Sequence, residues 1–278
     1  MNRHALGQLM VLTLLLLSFP ALMFGQTNCD EGDSPLNPVL PSGITPAQIV
    51  VRFAAKEAVF KQARNNYSFT ADVTVQTLDG NTVDGEFREV WDITYDDKGK
   101  RVENVTFAPP NTLRRVTLTG EDLDDLRDPL LFVLTTEDLP LYEVLNVGWQ
   151  HADEIDTYVF DVAPKRIEKD ARYFQGRIWV DNHDLQIVKT CGKNARHTKG
   201  VGNARGVQEN LALKFVTYRE QIDGQYWFPT YSRADEFLHF TSGDIHIRQI
   251  IKYTNYTRFG SKSQIIFKRE LPPNQKPK

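Results

Sequence analysis

From Tyr67 onward the chain alternates. Tyr67, Phe69, Ala71, Val73 and Val75 are separated by Ser68, Thr70, Asp72, Thr74 and Gln76, and a period of two describes a half-buried β-strand. The pattern returns at Phe87, Trp91, Ile93 and Tyr95, after the turn chemistry of LDGNTVDG (78–85). It returns again at Tyr158, Phe160 and Val162, at Phe174, Ile178 and Val180, at Leu185 and Ile187, and at Leu211, Leu213 and Phe215. Shorter strands are expected around 102–107 and 113–118. IDGQ (222–225) reads as a hairpin turn, and FLHFTSGDIHIRQIIKY (237–253) as a hairpin about Ser242 and Gly243. About ten strands joined mostly by short turns make antiparallel neighbours, because parallel strands need long crossovers. A sheet that wide must curl, and a helix laid on its inner face would cover the apolar side chains. The fold class is therefore α+β, mostly antiparallel β.

Two segments read as helical. Thr45 before Pro46 is an N-cap followed by proline at the first helical position, and the helix should run to about Arg64. At roughly 100° per residue, Ala47, Val50, Val51, Ala54, Ala55 and Ala58 share one side, while Ile49, Phe53 and Phe60 gather on another. The small side is expected to lie close on the sheet, leaving the bulky set to a second apolar surface. TGEDLDDLRDPLLFVL (119–134) opens with a threonine and acids suited to a helix start, and Pro129 divides it into two short helices or one kinked one.

The chain opens MNRHALGQLMVLTLLLLSFPALMFG, a secretory signal peptide over 1–25 with cleavage expected near Gly25. Its apolar core is too short to span a bilayer comfortably, and Pro20 interrupts the apolar stretch beyond it. Cys29 comes after Gln26, Thr27 and Asn28, a poor match to a lipobox, so a lipid anchor is not expected. Residues 26–43, with Pro35, Pro38 and Pro41, read as a flexible leader; 44–260 form one domain, and the tail 261–278 ends disordered. Removing the signal region, which carries Arg3 and no acid, makes the net charge of −3 slightly more negative, which offers nothing to nucleic acid. An oxidising compartment would permit a bridge between Cys29 and Cys191.

The polar clusters have plain readings beside sharper ones. Asp181, Asn182, His183 and Asp184, within GRIWVDNHDLQIVK (176–189), are turn residues in a place where a turn is required. HADEID (151–156) reads as a polar loop, and an enzyme acting on envelope glycans or lipids through His151, Asp153 and Glu154 is the alternative. His239 and His246 flank a hairpin and could pair across it. GVGNARG (200–206) lacks the spacing of a dinucleotide or Walker loop. The basic stretch around it, with Lys193, Arg196, His197, Lys199 and Arg205, reads as a solvated hairpin loop or as a contact for anionic headgroups or a partner protein. With no G-x-S-x-G elbow and no activated cysteine, no catalytic residue, metal ligand or cofactor is assigned.

YVFDVAPK (158–165), RIWVDNHDLQIVK (177–189) and IDGQYWFPTYSR (222–233), after a signal peptide and a long helix, resemble phrases of the outer-membrane lipoprotein-sorting superfamily. These are the LolA- and LolB-like periplasmic carriers, with the RseB-type sensors among their kin. The resemblance covers most of 45–257. It implies an unclosed, strongly curled β-barrel with a helical lid, in the periplasm, whose apolar cavity receives acyl chains of a lipoprotein or lipid. An inner- or outer-membrane partner protein would complete the transfer. It also implies an arginine that holds the lid, to which no arginine is matched from sequence. With the inward face set by alternation, Phe69, Val73, Val75, Trp91, Ile93, Tyr95, Tyr158, Phe160, Ile178 and Val180 are the expected lining. A non-catalytic envelope sensor or scaffold that uses the same fold to bind a partner protein is the alternative function.

Overall fold

The structure, a computed structural model, describes residues 27–30, 33–39, 43–127, 133–169, 171–196, 213–240 and 242–259. The expected signal peptide, Pro129, the glycine-rich loop 200–206 and the tail 261–278 lie outside the described residues.

Among the described residues ten strands form one sheet: β1 (Tyr67–Asp79), β2 (Thr82–Tyr95), β3 (Arg101–Phe107), β4 (Tyr142–Ala152), β5 (Ile155–Pro164), β6 (Arg172–Asp181), β7 (Ile187–Arg196), β8 (Lys214–Ile222), β9 (Tyr226–Phe240) and β10 (Gly243–Arg258). Their spatial order is β3-β2-β1-β10-β9-β8-β7-β6-β5-β4, antiparallel throughout. Because β1 pairs with β10, the two ends of the domain meet inside the sheet, and β3 and β4 are left as its edges. Among the described residues these edges do not pair with each other, so the barrel is unclosed. Tight turns make the hairpins: Asp223 and Gly224 hold φ of 55° and 70° between β8 and β9, the left-handed backbone that such a turn needs.

Among the described residues two α-helices accompany the sheet, α1 (Pro46–Ala63) and α2 (Gly120–Arg127). Thr45 Oγ1 accepts from Gln48 N at 3.3 Å and Gln48 Oε1 accepts from Thr45 N at 3.0 Å, a capping box that fixes where α1 begins. Its facing is the reverse of the expectation. Ile49, Phe53, Ala54, Glu57 and Phe60 are buried against the sheet, whereas Ala47, Val51 and Ala55 face outward. The physical reason is area: each buried Ile or Phe gains about 1.5–3 kcal/mol, far more than an alanine, and a curled sheet leaves depth for large side chains.

The segment 113–118 is a second correction. It is irregular rather than a strand, and Leu113, Val116 and Leu118 pack into the core as it crosses over the inner face. Thr112 N bonds Glu86 O at 2.9 Å and Arg115 pairs with Asp84 at 2.9 Å, after which the chain leaves the sheet ladder to reach α2.

Where it is described, at 27–30 and 33–39, the stretch read as a flexible leader is anchored instead. Thr27 is buried, and its hydroxyl donates to Lys214 O at 2.9 Å. Cys29 is bonded to Cys191, with Cα atoms 5.6 Å apart. Asp33 pairs with Lys189 at 2.7 Å, both buried, and the Lys189 ammonium lies 4.6 Å from the centre of the Trp179 ring and 5.4 Å from that of Tyr218. Ser34 N bonds His151 O and Asn37 forms a β-bridge with Trp149, so the segment covers the free edge of β4. This strap crosses the outer face, over a small apolar cluster of Val159, Trp179, Val188, Cys191 and Val216, and the chain then leads into α1 on the inner face.

Candidate functional site: the apolar face beneath α1

Alternation along β1, β2, β5 and β6 sends one set of side chains to the inner face. Phe69, Val73, Val75, Trp91, Ile93, Tyr158, Phe160, Ile178 and Val180 are buried in a single cluster, and Tyr95 packs against it half-buried. All ten expected residues thus share one surface, drawn from both halves of the sheet. The surface is covered. Ile49, Phe53 and Ala54 of α1 lie on it, with the Phe53 ring 5.7 Å from that of Phe160. Leu113, Val116 and Leu118 from the crossing segment, Leu126 from α2 and Leu134 from the irregular stretch before β4 join the same cluster. Further along the helix Phe60 stands edge-on to Phe228 at 5.0 Å, beside Tyr67.

One polar contact interrupts this greasy junction. Glu57, fully buried, turns inward from α1, and its carboxylate accepts from Arg219 Nη1 on β8 at 3.1 Å. It also accepts from Ile187 N on β7 at 3.2 Å, while Arg219 Nη1 donates to Ile187 O at 3.3 Å and the guanidinium lies 5.3 Å from the centre of the Phe60 ring. Burial pushes the Glu57 carboxyl above the usual carboxylate range, against the opposing pull of Arg219. The pair fixes the C-terminal half of α1 to the middle of the sheet at one point. Both residues are in phase with apolar neighbours: Glu57 shares the row of Phe53 and Phe60, and Arg219 shares the inward alternation of Phe215 and Thr217. That phase is the available signal, but sequence reasoning misses both residues, as it does the covering leucines.

The other clusters resolve into local architecture. Asp181 N bonds Gln186 O at 3.0 Å, Leu185 N bonds Asp181 O at 3.1 Å, and Asp181 Oδ2 accepts from His183 N at 3.0 Å, so 181–184 is the β6–β7 turn. Asp184 accepts from Trp227 Nε1 and Gln221 Nε2, both at 3.0 Å. Asp153, with φ of 55°, and Glu154 turn β4 into β5, and His151 Nδ1 meets Asp156 Oδ1 at 2.9 Å across that hairpin. The two turns border a shared groove of about 310 Å³ with Trp227. His239 and His246 do not pair with each other: His239 meets Asp244 at 2.8 Å, and His246 meets Asp235 and stacks on Phe237 at 4.5 Å.

No family model matches the chain, and no curated protein matches it in sequence. Solved structures are similar to it in outline. A DUF1329 family protein from Desulfovibrio piger is 16% identical with a TM-score of 0.38, over 77% of this chain and 95% of that one. An outer membrane lipoprotein-sorting protein domain from Vibrio parahaemolyticus is 12% identical with a TM-score of 0.34, over 76% of this chain and 93% of that one. The MucA/MucB complex of Pseudomonas aeruginosa matches at 10% identity and a TM-score of 0.21, over 74% of this chain and the whole of the other. Among the described residues, no helix is long and apolar enough to cross a membrane.

Proposed function

We propose that the chain is a periplasmic carrier that shelters acyl chains of a lipoprotein or lipid between α1 and the inner face of the sheet, for transfer toward the outer membrane. The observation that supports this reading is the joining of two apolar surfaces, from β1–β2 and β5–β6, under one helix tied to the sheet by side chains. An acyl chain left in water costs about 0.8 kcal/mol per CH₂, so a soluble crossing requires an apolar shelter. Here the shelter is filled by Ile49, Phe53 and Phe60 when empty of cargo, and cargo takes the place of those side chains as the helix lifts. Phe69, Val73, Val75, Trp91, Ile93, Tyr95, Tyr158, Phe160, Ile178 and Val180 are the side chains an acyl chain would meet. The reading assigns no catalytic residue.

Titration of the purified protein with a fluorescent acyl probe tests it. Saturable binding that weakens when Phe160 or Ile178 is replaced by a polar residue is expected. Absence of saturable binding would overturn the carrier. A second reading, an envelope sensor or scaffold, is favoured by the β3 edge, where Val105 and Phe107 are about half exposed. It calls for capture of a partner protein without copurifying lipid.

A further inference from the structure

A surface helix buries one stripe and turns charge to solvent, but α1 is apolar on both sides. Beneath it lie Ile49, Phe53 and Phe60; above it, Val51 is 62% exposed and Val59 53% exposed, with Ala55 between them on the same outward row. Helical geometry places Arg52 and Lys56 along one border of this row and Lys61 along the other, all exposed. Among the described residues none of the three makes an ion pair. The one acid of the helix, Glu57, points into the core at Arg219. A chain of net charge −3 therefore presents, on α1, an outer face with Val51, Ala55 and Val59 along the centre between the uncharged Gln48 and Gln62, cations on both borders and no exposed acid.

We propose that this outer face of α1 is a docking surface for an anionic lipid bilayer. The charge arrangement selects the occupant. A helix lying in a headgroup layer buries its central apolar row at the acyl boundary, while arginine and lysine stems reach sideways so that their charges stay among the phosphates. Each cation near such a surface contributes a factor of about five in binding at ordinary ionic strength, and the contribution falls with added salt. Valine and alanine insert weakly, so the contact is reversible, as an exchanging protein requires. The proposal does not depend on the carrier reading, because the surface is formed with the inner face fully packed.

Cosedimentation of the full mature chain tests it, with vesicles of equal parts phosphatidylglycerol and phosphatidylcholine against vesicles of phosphatidylcholine alone. Salt-sensitive binding to the anionic vesicles only is expected. Arg52→Glu with Lys56→Glu should weaken it at least about 30-fold, since the loss of two such factors is joined by repulsion of the new carboxylates. Val51→Ser with Val59→Ser should weaken it by a smaller factor, and Arg166→Glu with Lys252→Glu, exposed cations outside α1, should leave it unchanged. All these side chains point to solvent, so unaltered circular dichroism is expected throughout. Equal binding to both vesicle types, no binding to either, or an undiminished Arg52→Glu/Lys56→Glu protein would overturn the proposal. So would concentration-dependent dimerisation abolished by the valine substitutions, which would assign the face to a second copy of this chain. The readout follows the protein and not a bound acyl chain, so this test and the probe titration fail separately.

Discussion

The sheet is covered on both faces, and the two covers are made differently. The strap on the outer face is held by the Cys29–Cys191 bond, by the buried Asp33–Lys189 pair and by backbone bonding of Asn37 to the β4 edge. Among the described residues, α1 on the inner face has no backbone bond to a strand beyond Ile187 N to the Glu57 carboxylate; it rests on aromatic contacts and one ion pair. A cover held by covalent and backbone bonds stays when neighbouring side chains rearrange. A cover held by side chains leaves when a competing apolar molecule offers the same contacts. The described strap residues, 27–30 and 33–39, precede α1 in the chain, so the cover held by bonds comes before the one held by side chains.

Substitutions should separate the two. The largest effect is expected from Arg219→Met, which strands the buried Glu57 carboxylate; a loss of about 3–5 kcal/mol in urea unfolding is expected, with most of it regained in Glu57→Leu/Arg219→Met. Failure of the double substitution to recover would mean that the pair does more than hold the helix. Removing the disulfide by Cys29→Ser/Cys191→Ser should cost about 2–4 kcal/mol, since the bond closes a loop of 162 residues. Acyl-probe affinity should change little, because the strap is not part of the inner face; a large change would merge the two covers into one device. Thr45→Ala removes half of the capping box and is expected to cost about 1 kcal/mol, read as faster amide exchange in the first turns of α1 with the strap unchanged.

The same contrast explains what is legible in the sequence. Strand faces are readable because a period of two leaves no choice once one side is apolar: Phe69, Val73, Trp91, Ile93, Phe160 and Ile178 all fall inward as alternation requires. The facing of α1 is not, because Val51 and Ala55 are as apolar in type as the buried Ala54, and apolar residues on two sides of a helix leave open which side is buried. The strap is illegible for another reason. Asp33, Cys29 and Thr27 hold it through a charge, a thiol and a hydroxyl, each of which looks like solvated leader until its partner on β7 or β8 is known. Arg219 lies in between: alternation gives its inward phase, but a buried cation makes sense only beside the acid of α1 that meets it.

Hydrogen exchange read by mass spectrometry on the protein alone and saturated with the acyl probe puts the lid to the test most directly. Faster exchange across 50–63 on probe binding, with residues 33–39 and the Trp149 amide unchanged, is expected of a helix that lifts from its face while the strap stays. Saturable probe binding with α1 protection unchanged or increased would contradict the assignment of α1 as the lid.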